Sequence, residues 1–162
     1  MTAGPDPAAI TPDAEAGVLT LNNEHAAELS WLDAARLRAL IGRAFYARVI
    51  GRAEAFLLAF DERADYDSPN FLWFRTRSER FVYVDRLAVA SSARGRGLAR
   101  LLYADLTRHA VDAGHRVLAC EVNRVPANPA SDALHTALGF AEIGEAAIHG
   151  GQKTVRYLVR SL

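Results

Sequence analysis

The sequence is short of several residue types that would define a class of protein. Cys120 is the only cysteine among 162 residues, so neither an internal disulfide nor a cysteine-type metal site can form. Lys153 is the only lysine, and 19 basic residues balance 19 acidic ones, without the positive excess of a nucleic-acid binder. No apolar run is long enough to span a membrane, and the N-terminus lacks the basic start of a secretory signal. We therefore expect a cytoplasmic protein with neither nucleic-acid nor membrane partners.

The composition suits one domain, since 51% of the residues are hydrophobic. Residues 1–16 are rich in Pro, Ala and Asp without periodicity, which predicts a disordered leader before a domain over residues 17–162. Helical spacing extends over residues 37–45, 97–113 and 129–138. Strand-like runs occupy residues 18–21, 53–60, 81–90, 116–123, 140–148 and 154–159. This pattern predicts a mixed α/β sheet.

The stretch LAVASSARGRGLARLL, residues 87–102, leads from a predicted strand through a glycine-containing turn into a helix. Gly95 and Gly97 permit close approach, and the free N–H groups at the start of a helix attract anions. Arg94, Arg96 and Arg100 add positive charge. The turn therefore predicts a site for a pyrophosphate-bearing cofactor. In the dinucleotide fingerprint G-x-G-x-x-G the third glycine would fall at position 100, where this sequence has Arg100. A nucleotide-binding module is therefore the weaker alternative.

Two motifs in the second half of the chain resemble those of the GNAT superfamily of acyl-CoA N-acyltransferases. The phosphate-loop pattern [QR]-x-x-G-x-[GA] is matched by Arg94, Gly97 and Ala99. The segment NPASDALHTALGF is similar to the family's N-x-x-[AS]-x-x-x-Y-x-x-x-G-F helix, at Asn128, Ser131, His135, Gly139 and Phe140. The resemblance covers the chain from Phe81 onward, and the first half only through the order of its elements.

The resemblance implies a three-layer α/β/α fold, in which a mostly antiparallel mixed sheet contains a splayed central pair of parallel strands. It also implies an N-acetyltransferase that moves an acetyl group from acetyl-CoA directly to a primary amine. A small-molecule acceptor is slightly favoured and a peptide is the next choice, with a homodimer as one option for assembly. A catalytically silent acyl-CoA-binding sensor is the alternative, because His135 replaces the family's tyrosine.

The same resemblance implies which residues hold acetyl-CoA or coenzyme A. Backbone groups of the central strand would pair with the pantetheine arm, the loop amides would take the pyrophosphate, and the later helix would contact the arm from the other side. The expected cofactor-binding residues are Leu87, Ala88, Val89, Arg94, Gly95, Arg96, Gly97, Leu98, Ala99, Arg100, Asn128, Ser131 and His135.

Two carboxylates are candidates for the general base that deprotonates the amine. Glu121 lies on the strand RVLACEVN, where similar proteins carry a catalytic Glu-Val, and is preferred. Asp85 is the second candidate, and strand alternation puts it on the face of Tyr83, Leu87 and Val89, away from Arg86. For both, the alternative is a carboxylate held structurally by a nearby arginine or by backbone donors.

His135 is expected to protonate the departing CoA thiolate in place of the tyrosine, and the alternative is a histidine at the core edge that binds a backbone carbonyl. The other histidines, at positions 25, 109, 115 and 149, show no ligand-like spacing, so surface positions and no metal site are expected. The aromatic insertion within residues 61–80 is expected to supply Phe71 and Trp73 to the acceptor pocket together with Tyr83, although packing is the commoner use of such residues.

Overall fold

A computed structural model describes residues 5–162. A seven-stranded sheet in the order β1-β2-β3-β4-β5-β7-β6 carries helices on both faces. The helices are α1 (Pro12–Glu24), α2 (Ala26–Leu29), α3 (Ala34–Arg43), α4 (Pro69–Arg75), α5 (Leu98–Asp112) and α6 (Pro129–Ala137). The strands are β1 (Ala8–Ala9), β2 (Tyr46–Ile50), β3 (Ala55–Asp61), β4 (Val82–Val89), β5 (Val117–Val125), β6 (Ala141–Ile148) and β7 (Lys153–Ser161).

Two apolar cores, one on each face, make the three layers. Helices α1, α3 and α4 pack on one face, where Leu37, Leu40 and Phe71 are buried against the sheet. Helix α5 packs on the other face through Leu98, Leu102 and Leu106, and partly buried residues of α6 join it there. No helix among residues 5–162 is long and apolar enough to cross a membrane.

The central strands β4 and β5 are the parallel pair that the resemblance implied, and the other strand pairs are antiparallel. They are paired only at Val82↔Leu118 and Tyr83↔Ala119. Beyond Tyr83 the two strands separate, so β4 has no partner strand on its β5 side. The three-layer fold with a splayed parallel pair is therefore confirmed.

The sequence prediction is least accurate in the first half of the chain. The predicted strand at residues 18–21 is wrong, because Val18 and Leu21 lie within α1 and face the core at helical spacing. The leader is not disordered to residue 16, since Ala8–Ala9 pairs with β2 and α1 begins at Pro12. The first four residues of that leader lie outside the described residues. Strand β2 and helix α4 were not predicted, and the predicted 37–45 helix ends at Arg43.

The second half follows the sequence closely. Helices α5 and α6 and strands β4 to β7 occupy the predicted segments, and β6 and β7 form the expected hairpin through Gly150 and Gly151. Asn128 caps α6 as its side-chain oxygen accepts the Ser131 N–H at 3.3 Å. His115 is an exception to the expected surface positions of the histidines, because only 5% of its surface is exposed.

A β-bulge in β4 corrects the predicted faces of this strand. Leu58 of β3 pairs with Arg86, whereas the next residue, Ala59, pairs with Val84, so Asp85 is the extra residue. The bulge shifts the alternation by one residue, and Leu87 and Val89 consequently pack on the α5 face while Tyr83 faces the opposite core. Asp85 therefore does not share a face with Leu87 and Val89.

The same bulge lets neighbouring residues form an ion pair that alternation had excluded. Arg86 Nε donates to Asp85 Oδ2 at 3.0 Å, and both side chains are less than a tenth exposed, at 8% and 6%. Arg86 also donates to Asn22 Oδ1 at 2.9 Å and to the carbonyl oxygens of Leu29 and Ser30 at 2.6 and 3.0 Å. One buried guanidinium thus attaches the α1–α2 region to β4.

Replacement of Arg86 should destabilise the protein strongly. In Arg86→Met the Asp85 carboxylate keeps its burial but loses its cation, and breaking a buried pair in this way costs about 3–5 kcal/mol. The free energy of unfolding, measured by urea denaturation, should fall by that amount. Arg108→Ala is the matched control, because the Arg108 side chain is 74% exposed and its ion pair with Asp105 should contribute at most about 1 kcal/mol. Equal losses in the two variants would contradict the anchoring role of Arg86.

Candidate active site

The separation of β4 and β5 opens a cleft of about 330 Å³ between the two strands and helices α5 and α6. The cleft brings together eight of the predicted cofactor residues: Leu87, Ala88, Val89, Arg94, Ala99, Asn128, Ser131 and His135. Residues that the sequence analysis did not assign to the cofactor also line it, among them Tyr103, Cys120 and Leu134.

The predicted anion site lies at the N-terminus of α5. Gly97 is the N-cap residue with φ of 74°, and Gly95 has φ of 77°. Residues other than glycine rarely adopt this left-handed conformation. No side chain caps this helix and its first turn contains no acidic residue, so the first amides keep their capacity to bind an anion. The backbone geometry thus suits the phosphate-binding role that the sequence suggested.

The residues of this loop differ in what their side chains do. Arg94 lines the cleft, and Arg100 is exposed in the first turn of α5. Arg96 forms an ion pair with Glu54 of the β2–β3 turn, in which Arg96 Nη1 donates to Glu54 Oε2 at 2.8 Å. The side chain of Leu98 is in the core, so Leu98 can contribute only its backbone amide to an anion site.

His135 occupies the place of the family's tyrosine, but its ring nitrogens are both engaged. Nδ1 lies 2.7 Å from the Ser131 carbonyl oxygen, which can only accept, so Nδ1 carries the proton. Nε2 lies 2.6 Å from Tyr103 Oη and accepts a hydrogen bond from it. Burial lowers the pKa of His135 and favours this neutral form. The structure therefore supports the core-edge alternative over the role of His135 as an acid.

Tyr103 of α5 brings a phenol to the cleft that the sequence analysis did not identify. Its ring is buried among the apolar residues of α5, and burial raises its pKa well above the ordinary value. A tyrosine within the apolar stripe of the helix after the phosphate loop was the available signal. The sequence alone could not show that this phenol reaches His135.

Glu121 lines the cleft and also a second cavity beside it. Its carboxylate accepts a hydrogen bond from Tyr83 Oη at 2.6 Å. Burial raises the pKa of Glu121 to about 8, although the hydrogen bond from Tyr83 opposes the rise. A carboxyl group with this pKa exchanges protons near neutral pH, as a general base must.

Asp85 borders the same two cavities but is held more firmly. Tyr66 Oη donates to its Oδ1 at 2.8 Å and Arg86 donates to its Oδ2. Burial raises the pKa of Asp85, and the adjacent Arg86 charge opposes this rise. Each carboxylate oxygen of Asp85 thus has a fixed donor, whereas Glu121 is held by a neutral phenol.

The second cavity, of about 170 Å³, adjoins the cleft on the side of α2, α4 and the β6–β7 hairpin. Asp85, Glu121 and Asn123 line both cavities. A ligand in the cleft and a second ligand in the smaller cavity would therefore come together at these side chains. Tyr66 and Asn70 line the second cavity as well, and the sequence analysis had not selected either.

The predicted acceptor aromatics do not line the second cavity. Phe71 is completely buried and packs against Phe81 and Tyr83 in the core. Trp73 stacks on Tyr157 at 4.0 Å, and the Arg77 guanidinium lies 3.9 Å from the Trp73 ring centroid. The structure therefore gives Phe71 and Trp73 a packing role, and their assignment to the acceptor site stays a prediction without support from the cavity lining. Tyr83 contributes to the site only through its hydroxyl on Glu121.

A splayed parallel strand pair beside an uncapped helix N-terminus defines the fold of an acyl-CoA N-acyltransferase. The chain belongs to the acetyltransferase (GNAT) family, whose model matches residues 20–140. No curated protein sequence matches the chain.

Solved structures share the whole fold at low sequence identity. Ard1 from Thermoplasma volcanium is similar with a TM-score of 0.80 and 12% identity, over 99% of each chain. The ribosomal-protein-alanine N-acetyltransferase from Brucella melitensis has a TM-score of 0.70 and 20% identity, over 96% of this chain and 99% of its own. Arabidopsis thaliana NAA60, in complex with acetyl-CoA, has a TM-score of 0.67 and 15% identity, over 96% of both chains.

The loop geometry predicts that a side chain at Gly97 abolishes coenzyme A binding. Gly97→Val places a branched side chain before the α5 amides and forces valine into a left-handed conformation that costs roughly 1–2 kcal/mol. Isothermal titration calorimetry with coenzyme A should detect no binding. Gly114→Val is the control, since Gly114 also has a positive φ, of 85°, but lies beyond the other end of α5. Coenzyme A affinity that survives in Gly97→Val would refute the anion site.

Proposed function

We propose that this protein is an acetyl-CoA-dependent N-acetyltransferase that acetylates a primary amine by direct transfer. The observation that carries the proposal is the position of Glu121, a carboxyl group with a pKa of about 8 at the junction of the cleft and the second cavity. The cleft suits the acyl donor and the second cavity suits the amine, so the base lies where the two meet.

The residues of the cleft fit acetyl-CoA, which supplies the acetyl group as an activated thioester. The α5 amides from Gly95 to Arg100 would hold the pyrophosphate with help from Arg94. The unpaired edge of β4 at residues 87–89 would bind the pantetheine arm as an added strand, and an N–H near Val89 would polarise the thioester carbonyl. Asn128 and Ser131 line the opposite wall, and Asn128 combines this position with its role as helix cap.

Glu121 is the general base of the proposed reaction. A primary ammonium must lose a proton before its nitrogen can attack, and the Glu121 carboxylate accepts this proton directly or through a water. Asp85 serves instead to position its neighbours, because Tyr66 and Arg86 already occupy its two oxygens.

The pKa of Glu121 also favours one type of amine. An α-amino group has an ordinary pKa of about 7.7–8.0, and a lysine-like amine has one of about 10.4. Because burial raises the pKa of Glu121, proton transfer to its carboxylate is easier than to an ordinary carboxylate, and it is less uphill from the first amine than from the second. The cavity of about 170 Å³ accommodates a small amine-bearing end. An α-amine, on a peptide or on a small molecule, is therefore the acceptor that this site suits best.

Tyr103 is the group that would stabilise the departing thiolate. Tyr103 lines the cleft, and its O–H, which donates a hydrogen bond to the neutral His135 Nε2, can turn to a negatively charged sulfur that competes better for this hydrogen bond. His135 positions this phenol. A catalytically silent acyl-CoA-binding protein is the competing function, favoured by the loss of an acid at position 135, and it would bind coenzyme A without turnover.

An acetyl-CoA consumption screen against peptides, amino acid amides and alkyl amines tests the proposal. We expect turnover with α-amines. In Glu121→Gln, kcat should fall by roughly 10²- to 10⁴-fold with unchanged coenzyme A affinity, as for the loss of a general base. Glu145→Gln is the control, because Glu145 is 46% exposed and pairs with Arg124 on the outer sheet edge. Tight coenzyme A binding with no turnover on any amine would establish the silent function instead.

The pH profile provides a second measurement on the same variant. Only the deprotonated carboxylate can accept a proton, so kcat/KM for an alkyl amine, which itself titrates only near a pKa of about 10.4, should rise with pH and level off above an apparent pKa of about 8. Glu121→Gln should lose this step and retain only the titration of the amine itself. A profile with the same step in both proteins would remove Glu121 from the role of base.

A further prediction concerns the leaving group. Tyr103→Phe retains the buried ring but removes the hydroxyl, so kcat should fall about tenfold or more while KM for acetyl-CoA stays within about twofold. His135→Ala should lower the melting temperature as well, because it removes a buried ring with two hydrogen bonds. An unchanged kcat in Tyr103→Phe would mean that solvent protonates the thiolate.

A further inference from the structure

A second group of polar side chains lies at the opposite end of the sheet from the acetyl-CoA cleft. Asp61 is the last residue of β3 and pairs with Val82, the first residue of β4. Glu62 follows it, and His115 lies just before β5. The cleft opens instead beyond Tyr83, where β4 and β5 separate. This second group therefore does not belong to the site described above.

Two atoms of this group are buried without a hydrogen-bond partner. Among residues 5–162, Glu62 Oε2 and His115 Nδ1 are the buried side-chain nitrogen and oxygen atoms that lack one. The His115 side chain is 4% exposed, and its Nδ1 faces Glu62 Oε2 at 3.7 Å, too far for a hydrogen bond. A buried polar atom without a partner is costly, so two such atoms that face each other indicate a missing partner shared by both.

The geometry points to a divalent transition metal ion as this partner, and we propose that Asp61, Glu62 and His115 bind one Zn²⁺. One ligand atom from each residue lies within 4.8 Å of the others. Tetrahedral zinc with bonds of about 2.0–2.1 Å needs ligand atoms about 3.3 Å apart. The distance from His115 to Glu62 is already close to this value, and side-chain rotation supplies the remaining contraction.

Charge and ligand type both favour zinc over other cations. The two carboxylates carry two negative charges, and Arg80 offsets one of them with its Nε 3.5 Å from Glu62 Oε1. This contact uses the oxygen remote from His115 and leaves Oε2 free to bind. A neutral imidazole with two carboxylates suits Zn²⁺, whereas Mg²⁺ and Ca²⁺ prefer oxygen ligands alone. Asp61 Oδ1 accepts the Arg63 N–H at 3.0 Å, which orients that carboxylate.

The bound ion would have a structural role. It would join the end of β3 to the turn between α5 and β5, two segments more than fifty residues apart in the sequence. It would thereby hold together the paired ends of the central strands, at the opposite end of β4 and β5 from their separation. This site makes no contact with the proposed acyl-transfer reaction, and it can be tested without measuring acetylation.

Zinc titration of the untagged, full-length protein tests the proposal. After dialysis against a chelator and return to metal-free buffer, calorimetry should detect one Zn²⁺ per chain, and the melting temperature should rise with added Zn²⁺. Co²⁺ in the same site should show the intense d–d absorption of tetrahedral coordination. The isosteric variants Asp61→Asn and Glu62→Gln should each weaken Zn²⁺ binding at least tenfold and lose the stabilisation.

Asp112→Asn is the control, since Asp112 is an exposed acid near the same end of the sheet and its loss should leave Zn²⁺ affinity unchanged. The absence of stoichiometric Zn²⁺ binding would overturn the proposal and leave Glu62 and His115 as an ion pair only. Unweakened binding in Glu62→Gln would also overturn it, because the ion would then bind elsewhere.

Discussion

The separation of β4 and β5 after two paired residues is the constraint on which the rest of the site depends. Parallel neighbours in the middle of a sheet normally continue their hydrogen bonds, and unsatisfied backbone groups there are costly. Here the pairing stops at Tyr83 and Ala119, and the backbone edge of β4 faces a cleft instead of a strand. A ligand with amide groups of its own could complete that edge, and the proposed binding of the pantetheine arm depends on this interruption of the sheet.

The bulge at Asp85 lies two residues beyond the last paired position and determines which side chains enter the site. Without the extra residue, Asp85 and Arg86 would point to opposite faces and could not pair. With it, Arg86 neutralises Asp85 and crosslinks the first helices to the sheet. The two carboxylates of the site thus receive different environments, since Asp85 is paired with a cation whereas Glu121 accepts a hydrogen bond from the neutral phenol of Tyr83.

The second half of the fold could be predicted from the sequence because its signals are local. Glycines with positive φ, a proline in the first turn and an asparagine cap act over three or four residues, and they located α5 and α6 with their loops. The first half lacks such signals. Val18 and Leu21 fit a short strand as well as a helix, and only packing against α3 and the sheet decides between them.

The site was predictable only as far as backbone motifs extend. The glycine turn before α5 and the cap at Asn128 were located correctly, whereas the errors concern contacts between distant segments. The alternation of side chains along a strand cannot reveal a β-bulge, so the sequence wrongly predicted that Asp85 and Arg86 point to opposite faces and cannot pair. A cluster of aromatic residues in a polar connecting segment has the same sequence pattern whether it lines a pocket or packs in the core. The stacking of Trp73 on Tyr157 is visible only in three dimensions.

The contact between Tyr103 and His135 places a phenol next to the position where the family carries its tyrosine. The family's tyrosine at position 135 would place a phenol directly in the cleft, whereas a histidine there is too short and too well satisfied by Ser131 to act as an acid. A neutral imidazole still accepts one hydrogen bond, and Tyr103 on the facing helix supplies it at 2.6 Å. The hydroxyl group is thus retained in the cleft but comes from α5. The residue at one aligned position therefore does not decide whether a cavity contains a phenol, because a neighbouring helix can supply the same group.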